Sequence, residues 1–257
     1  MKRIIASVFA CIVLTVGLRP TLAGMFPPPF DSGELADLRN TKIASHEPYA
    51  LLVVGERVID LSDHFLPVPG TDRSRLTVDL NRYGIGQTVT ALVDPDPFIT
   101  FGATTTNLVA GPVAYSFLFG TPVVSTQYTN ATSSGGVTLT NGASGTAIVS
   151  APGTYPTFIS GYGSLGAPTT NLNVDLGTGS LVASGAPGSV TVTRNLGNNA
   201  SSFAPTTYDN LEALLTYNQT DASSIASWSG SVTLDVPEPA VGCAMLIVVA
   251  TVARRRR

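Results

Sequence analysis

Cysteine is nearly missing from this sequence. The two present, Cys11 and Cys243, lie close to its ends. The long stretch between them therefore has no disulfide, no thiolate metal site and no cysteine nucleophile. Histidine is almost as scarce. His46 and His64 are the only two, and two histidines without a third ligand pattern do not make a zinc site. Asp60, Asp63 and His64 cluster in sequence but read as a solvated turn after a strand. No Gly-x-Ser-x-Gly elbow occurs, so a serine hydrolase has no anchor. Charge is sparse as well. From residue 97 to 235 only Asp175, Arg194, Asp209, Glu212, Asp221 and Asp235 are charged. Over residues 24–236 sixteen acids stand against seven bases, a balance that opposes binding to nucleic acid or anionic lipid. A glycosidase needs two placed carboxylates, and this half of the chain offers few candidates. Asp94 and Asp96 could meet calcium, but the prolines around them explain both as a stiff linker. No cofactor and no metal are implied.

What the sequence does have is distinctive at both ends. Lys2 and Arg3 precede an apolar run over residues 4–18. A small residue, Ala23, then suits cleavage before Gly24. This predicts a signal peptide over residues 1–23, removed by signal peptidase. At the other end Pro237 and Pro239 fix their φ angles and remove backbone donors, so Val236, Pro237, Glu238 and Pro239 form an extended, helix-incompatible joint. Residues 240–253 carry no charge. A helix of that length rises roughly 21 Å, short of the roughly 30 Å hydrocarbon core. Arg254, Arg255, Arg256 and Arg257 close the chain and resist translocation. The order of joint, short plug and cationic stop predicts transient insertion in a membrane with a cleavable segment on the far face.

Those three parts resemble the PEP-CTERM sorting signal of Gram-negative bacteria. The resemblance rests on residues 236–239, the short apolar span and the four terminal arginines, less than a tenth of the chain. It implies recognition by an exosortase, removal of the tail near Pro237-Glu238-Pro239, and association with exopolysaccharide and biofilm matrix. Cys243 departs mildly from the usual Leu, Gly and Ala of the span. The stretch 94–124, with Asp94-Pro95-Asp96-Pro97-Phe98-Ile99 and then Tyr115, Phe117 and Phe119, resembles the opening strands of other exported proteins with this tail. That likeness implies a β-sandwich-like body and no activity.

Between its ends the chain divides by composition into a charged region, residues 24–93, and a Thr-, Ser- and Gly-rich region, residues 94–235. Residues 26–30 read as polyproline. Asp31 or Ser32 can cap a short helix through Asn40. Residues 49–54 and 57–61 are β-rich runs around Gly55-Glu56, a two-residue hairpin signature. Further strands are expected at 76–80, 88–93, 98–101, 113–119, 123–128, 137–140, 146–150, 172–176, 189–194 and 231–236. Gly120-Thr121-Pro122, Ser134-Gly135-Gly136, Asn141-Gly142 and Gly177-Thr178-Gly179 read as the breaks between them. Tyr115, Phe117 and Phe119 share one pleat face and read as core. A helix is expected near residues 206–218, capped by Thr206 or Thr207, with Leu211, Leu214 and Leu215 at helical spacing and Asp209 and Glu212 in its first turns. The expected fold is a mainly β, antiparallel β-sandwich-like body with one short helix, flanked by an N-terminal signal helix and a C-terminal hydrophobic helix. Its Thr and Ser suit an exposed, uncharged sheet face.

These observations favour an exported, non-enzymatic surface or extracellular-matrix protein. The alternatives are a carbohydrate-binding module that uses Trp228, the only tryptophan, or a polysaccharide-acting hydrolase. Asn130-Ala131-Thr132, Asn199-Ala200-Ser201 and Asn218-Gln219-Thr220 match the glycosylation acceptor pattern, which arises by chance in a chain of this composition.

Overall fold

The computed structural model describes residues 33–153, 157–166 and 169–235. The expected signal segment, the polyproline run and the sorting tail lie outside the described residues. Among the described residues no helix is long and apolar enough to cross a membrane.

The architecture is antiparallel β with one α-helix among the described residues. The helix, α1 (Gly33–Ser45), lies where the sequence predicts one and runs five residues beyond Asn40. His46, at φ 54°, ends it, and its N–H donates to Ile43 O at 3.2 Å. Leu35 and Ile43 are buried against Tyr49, Leu51, Val53, Leu118, Tyr162 and Leu214. After α1 come β1 (Tyr49–Val54) and β2 (Arg57–Asp60). They pair through Val54 and Arg57, so Gly55-Glu56 is a two-residue hairpin loop, with Gly55 at φ 59°. The remaining early strands are β3 (Phe65–Pro67), β4 (Ser74–Asp79), β5 (Gln87–Asp94) and β6 (Phe98–Thr106).

Two very long strands organise everything else. β7 (Val113–Thr140) and β13 (Thr191–Gln219) pair along their whole lengths, from Val113↔Gln219 to Thr140↔Thr191. The N-terminal half of β7 also pairs with β1, and the C-terminal half of β13 with β9 (Thr157–Ser164). The C-terminal half of β7 pairs instead with β14 (Ile225–Asp235), which leads on to β6, β5, β4 and β3. One ribbon thus belongs to two groups of strands. Its register shifts between Ser202 and Thr206 and between Tyr208 and Asn210. Bulges of this kind are how strands turn a corner from one layer to another. The smaller strands β8 (Thr146–Ser150), β10 (Thr169–Asn171), β11 (Leu176–Thr178) and β12 (Ser180–Ser184) complete the second group.

The two groups face each other across a shared core. Phe101 of β6 stacks on Phe119 of β7 at 5.2 Å. Trp228 of β14 meets Tyr217 of β13 at 4.7 Å and Phe158 of β9 at 4.9 Å. The body is sandwich-like in this sense. One apolar cluster runs from Ala50 to Leu234 and takes residues from both composition regions. Asp94 to Phe98 is the tip of the β5–β6 hairpin. Asp94 accepts from Asp96 N at 2.9 Å and from Arg73 Nε at 2.6 Å.

Two expectations fail in the long strands. No helix forms over residues 206–218, which are the buried half of β13. Leu211, Ala213, Leu215 and Tyr217 join the main core, while Leu214 joins the cluster beneath α1. A strand covered on both faces loses its apolar–polar alternation and reads as a near-continuous apolar run. In that run the leucines fall at helical spacing by coincidence. Nor does the chain break at Gly120-Thr121-Pro122 or Ser134-Gly135-Gly136, because β7 is continuous through both. None of these glycines has positive φ. They make room. A Cβ at Gly120 would stand 2.1 Å from Cζ of Tyr49, and one at Gly135 would stand 2.4 Å from Cδ1 of Ile159. Pro122 sits opposite Asn210 at a register shift, where a missing donor does least harm.

Candidate functional site

The outer face of the β14-centred layer is built by simple alternation. Along β7, Val137 and Leu139 point into the core, so Ser134, Gly136, Thr138 and Thr140 point out. Along β14, Ala226, Trp228 and Val232 point in, leaving Ser227, Ser229, Ser231 and Thr233 outside. The registers bring these into rows across the sheet. Thr193, Thr138, Ser227, Thr104 and Thr88 form one row. Asn195, Gly136, Ser229, Gly102 and Thr90 form the next. Asn198, Ser134, Ser231, Thr100 and Leu92 form a third. These fifteen positions are uncharged; the rows meet charge only at β4, where Asp79 lies opposite Thr88 and Arg75 opposite Leu92.

Hydroxyls in neighbouring strands bond one another. Thr138 and Thr193 are 3.0 Å apart, Thr140 and Thr191 2.9 Å, and Ser134 and Ser231 2.7 Å. Thr104 donates to Ser227 at 3.2 Å. Each hydroxyl has one proton and two lone pairs, so a pair still offers acceptor sites outward. Where Gly136 interrupts the side chains, an open groove of about 820 Å³ forms between Thr138, Ser134, Asn195, Asn198 and Ser229. No carboxylate lines it, and the one charged residue of its lining, Arg194, sends Nη1 to Thr178 O at 3.0 Å. The groove can exchange hydrogen bonds with a neutral, hydroxyl-rich partner. It holds no acid–base pair.

A second polar cluster lies beneath α1. Arg39 donates from Nε to Oε1 of Glu212 at 2.6 Å and from Nη2 to Oε2 at 2.5 Å. Tyr49 Oη donates to the same carboxylate, and Asn210 Nδ2 donates to Tyr49 Oη at 3.2 Å. Glu212 is 0% exposed and Arg39 4%. Burial works against the Arg39 charge, but the adjacent Glu212 outweighs it and holds the guanidinium above its usual pKa. Burial, reinforced by Glu212, pushes the Tyr49 phenol well up. Sealed by helix and sheet, this cluster acts as a fastener for α1.

The residues singled out from sequence are scattered. Trp228 is 4% exposed, with its indole packed between Tyr217 and Phe158, so it shows no open face to a sugar ring. Tyr115, Phe117 and Phe119 are buried in the core. His46 sits at the end of α1, and His64 lies beside Arg82 and Tyr83 in a short 3-10 turn. The two histidines share no site. Ala23, Gly24, Val236, Pro237, Glu238, Pro239, Arg254, Arg255, Arg256 and Arg257 lie outside the described residues. Among the described residues no three His, Cys, Asp or Glu side chains gather to hold a metal. The hydroxyl face had a sequence signal, the period-2 run of Ser and Thr over 132–140 and 227–233. The Arg39–Glu212 pair had none, because its partners are 173 residues apart.

No family model matches this chain, and no curated protein matches its sequence. Among solved structures, TmCBM61 in complex with β-1,4-galactotriose is similar over 72% of this chain and 87% of its own, at 6% identity and a TM-score of 0.24. The enzymatically active domain of bacteriophage CBA120 tailspike protein 4 is similar over 72% of this chain and 19% of its own, at 10% identity and a TM-score of 0.16. The infectious bursal disease virus VP2 subviral particle is similar over 81% and 73%, at 13% identity and a TM-score of 0.10. Likenesses this slight carry no argument about fold or function.

Proposed function

We propose that this is an exported, non-enzymatic protein of the cell surface or extracellular matrix. An exosortase processes it at Val236, Pro237, Glu238 and Pro239, and its neutral sheet face lies against exopolysaccharide. The observation that carries the second half is the row arrangement of uncharged hydroxyls around Gly136. A hydrogen bond made in exchange for one to water contributes only about 1 kcal/mol net. A single sugar contact on such a face is therefore weak. Many contacts along a polymer add through effective concentration. A neutral face also makes the contact insensitive to salt. The carboxylate-free groove favours holding over hydrolysis. The sorting half rests on the terminal sequence alone.

Each half has its own test. Intact-mass analysis of the surface pool from the native host is expected to show a C-terminus near residue 237. Recovery of that pool ending at Arg257 sinks the sorting reading. For the face, the chain is passed over immobilised neutral polysaccharides and uronic-acid polymers. Retention on a neutral polymer is expected at both low and high salt. Thr193→Arg with Ser229→Arg removes two hydroxyls and fills the groove, and retention should fall at least about tenfold for two lost contacts. Absence of retention, or equal retention by the variant, removes the face from the proposal.

A further inference from the structure

Between β10 and β11 the chain reads Asn171-Leu172-Asn173-Val174-Asp175. The sequence predicts a strand over 172–176, but strand pairing resumes only at Leu176. Leu172 and Val174 are buried, and Asn173 turns the chain at φ 57°. Oxygen-bearing side chains therefore recur at every second position on a corner that packs against β13. There Asn199 Nδ2 donates to Asn173 O at 3.3 Å and to Asp175 O at 3.1 Å. Two carbonyl oxygens converge on one point.

Asp175 is poorly served at this corner. Its Oδ2 receives one long contact, 3.4 Å from Asn171 Nδ2. Its Oδ1 is shut off from solvent and meets no donor. A carboxylate oxygen in that position loses its hydration without recovering it. Buried orphans of this kind mark a place where an ion or water belongs.

We propose that Asp175 and Asn199, with the carbonyls of Asn173 and Asp175, form a calcium site; Asn171, whose Oδ1 accepts from Asn173 N at 2.6 Å, flanks it and supplies no ligand. Ca²⁺ takes six to eight oxygens in flexible loops and accepts carboxylate, amide and backbone oxygens together. Turning the Asn199 amide over presents Oδ1 where Nδ2 now stands, and the ion then satisfies the two carbonyls in its place. Mg²⁺ fits less well, because it demands near-ideal octahedral geometry and dehydrates reluctantly. With one carboxylate the dissociation constant falls at the weak end, roughly 10⁻⁴–10⁻³ M, the range of extracellular modules. Most of the oxygens are amide or carbonyl, so clusters of acids and histidines do not mark the site. Bound calcium would tie the 171–175 corner to β13 over Leu172 and Val174. This site shares no residue with the hydroxyl face and stands independently of it.

The test is equilibrium dialysis of the purified chain against CaCl₂, with MgCl₂ as control and thermal melting in parallel. One Ca²⁺ per chain is expected, with a raised Tm, and both effects should vanish in Asp175→Asn. No calcium uptake by the wild-type chain up to about 10 mM, beyond the weakest such sites, overturns the proposal. Undiminished uptake by Asp175→Asn overturns it equally. If Asp175→Asn does not fold, Asn199→Asp decides the matter. A second carboxylate should tighten calcium binding about tenfold, since affinity follows ligand charge, and unchanged affinity overturns the site.

Discussion

Glu212→Ala is expected to cost about 3–5 kcal/mol of folding stability, read as a lower midpoint in urea. The change leaves the Arg39 guanidinium beneath α1 with its carboxylate gone, and it strips the acceptor from Tyr49 as well. The loss reflects burying the Arg39 charge without this carboxylate more than the net worth of the pair. The double change Arg39→Met with Glu212→Leu separates the two. Replacing both charges by apolar groups of similar size is often neutral, so the double variant should be more stable than Glu212→Ala. If Glu212→Ala melts like the wild type, the carboxylate is not sealed under the helix. Gly120 belongs to the same arrangement, since the Tyr49 ring occupies the space its side chain would fill.

Trp228→Ala is expected to cost about 3–5 kcal/mol, the range for deleting a large buried aromatic. The indole fills the space between Tyr217 and Phe158, where the two layers meet. Trp228→Phe keeps a ring there and should cost distinctly less. This bears on function. A sugar-stacking tryptophan can be truncated with loss of binding and little loss of stability, whereas a core tryptophan loses both together. Denaturation of Trp228→Ala, measured beside polysaccharide retention, tells these apart. Retention lost at unchanged stability would return Trp228 to the surface as a ligand contact.

What the sequence discloses here depends on how many faces of a strand are covered. The β1–β2 hairpin was legible because Gly55-Glu56 has a local turn chemistry and its flanks are β-rich. The start of α1 was legible because a capping residue precedes Leu35 and Leu38. The outer face of β7 and β14 was legible only in part: residues 137–140 and 231–235 read as strand, whereas Ser134-Gly135-Gly136 read as a break and residues 225–230 were not read as strand, although Thr and Ser alternate there with buried Val, Leu and Trp. The inner half of β13 was not, because Leu211, Glu212, Ala213, Leu214 and Leu215 are all buried and alternation disappears. Glu212 then read as an acid in the first turns of a helix, when its partner is an arginine in a distant helix. Glycine misled in the same way. Gly120 and Gly135 resemble turn residues in sequence, yet they serve contacts with Tyr49 and Ile159 that only the assembled layers create. The calcium corner was hidden for a similar reason, since Asn199 comes to Asn173 and Asp175 only when β13 is in place.

The paired ribbon of β7 and β13 also governs the order in which the molecule can be made. Val113 waits for Gln219, and Thr140 for Thr191. Emerging from its N-terminus, the chain offers β7 only β1 as an earlier partner among the described residues, along six residues. Its other edge and its C-terminal half stay bare until the last third of the body arrives. Pairings this distant in sequence close slowly, and unpaired strands invite wrong partners in the meantime. Assembly is thus delayed until almost the whole body has been delivered. Under the export proposed above, that delay is useful, because little of the chain can close before its passage through the membrane is complete.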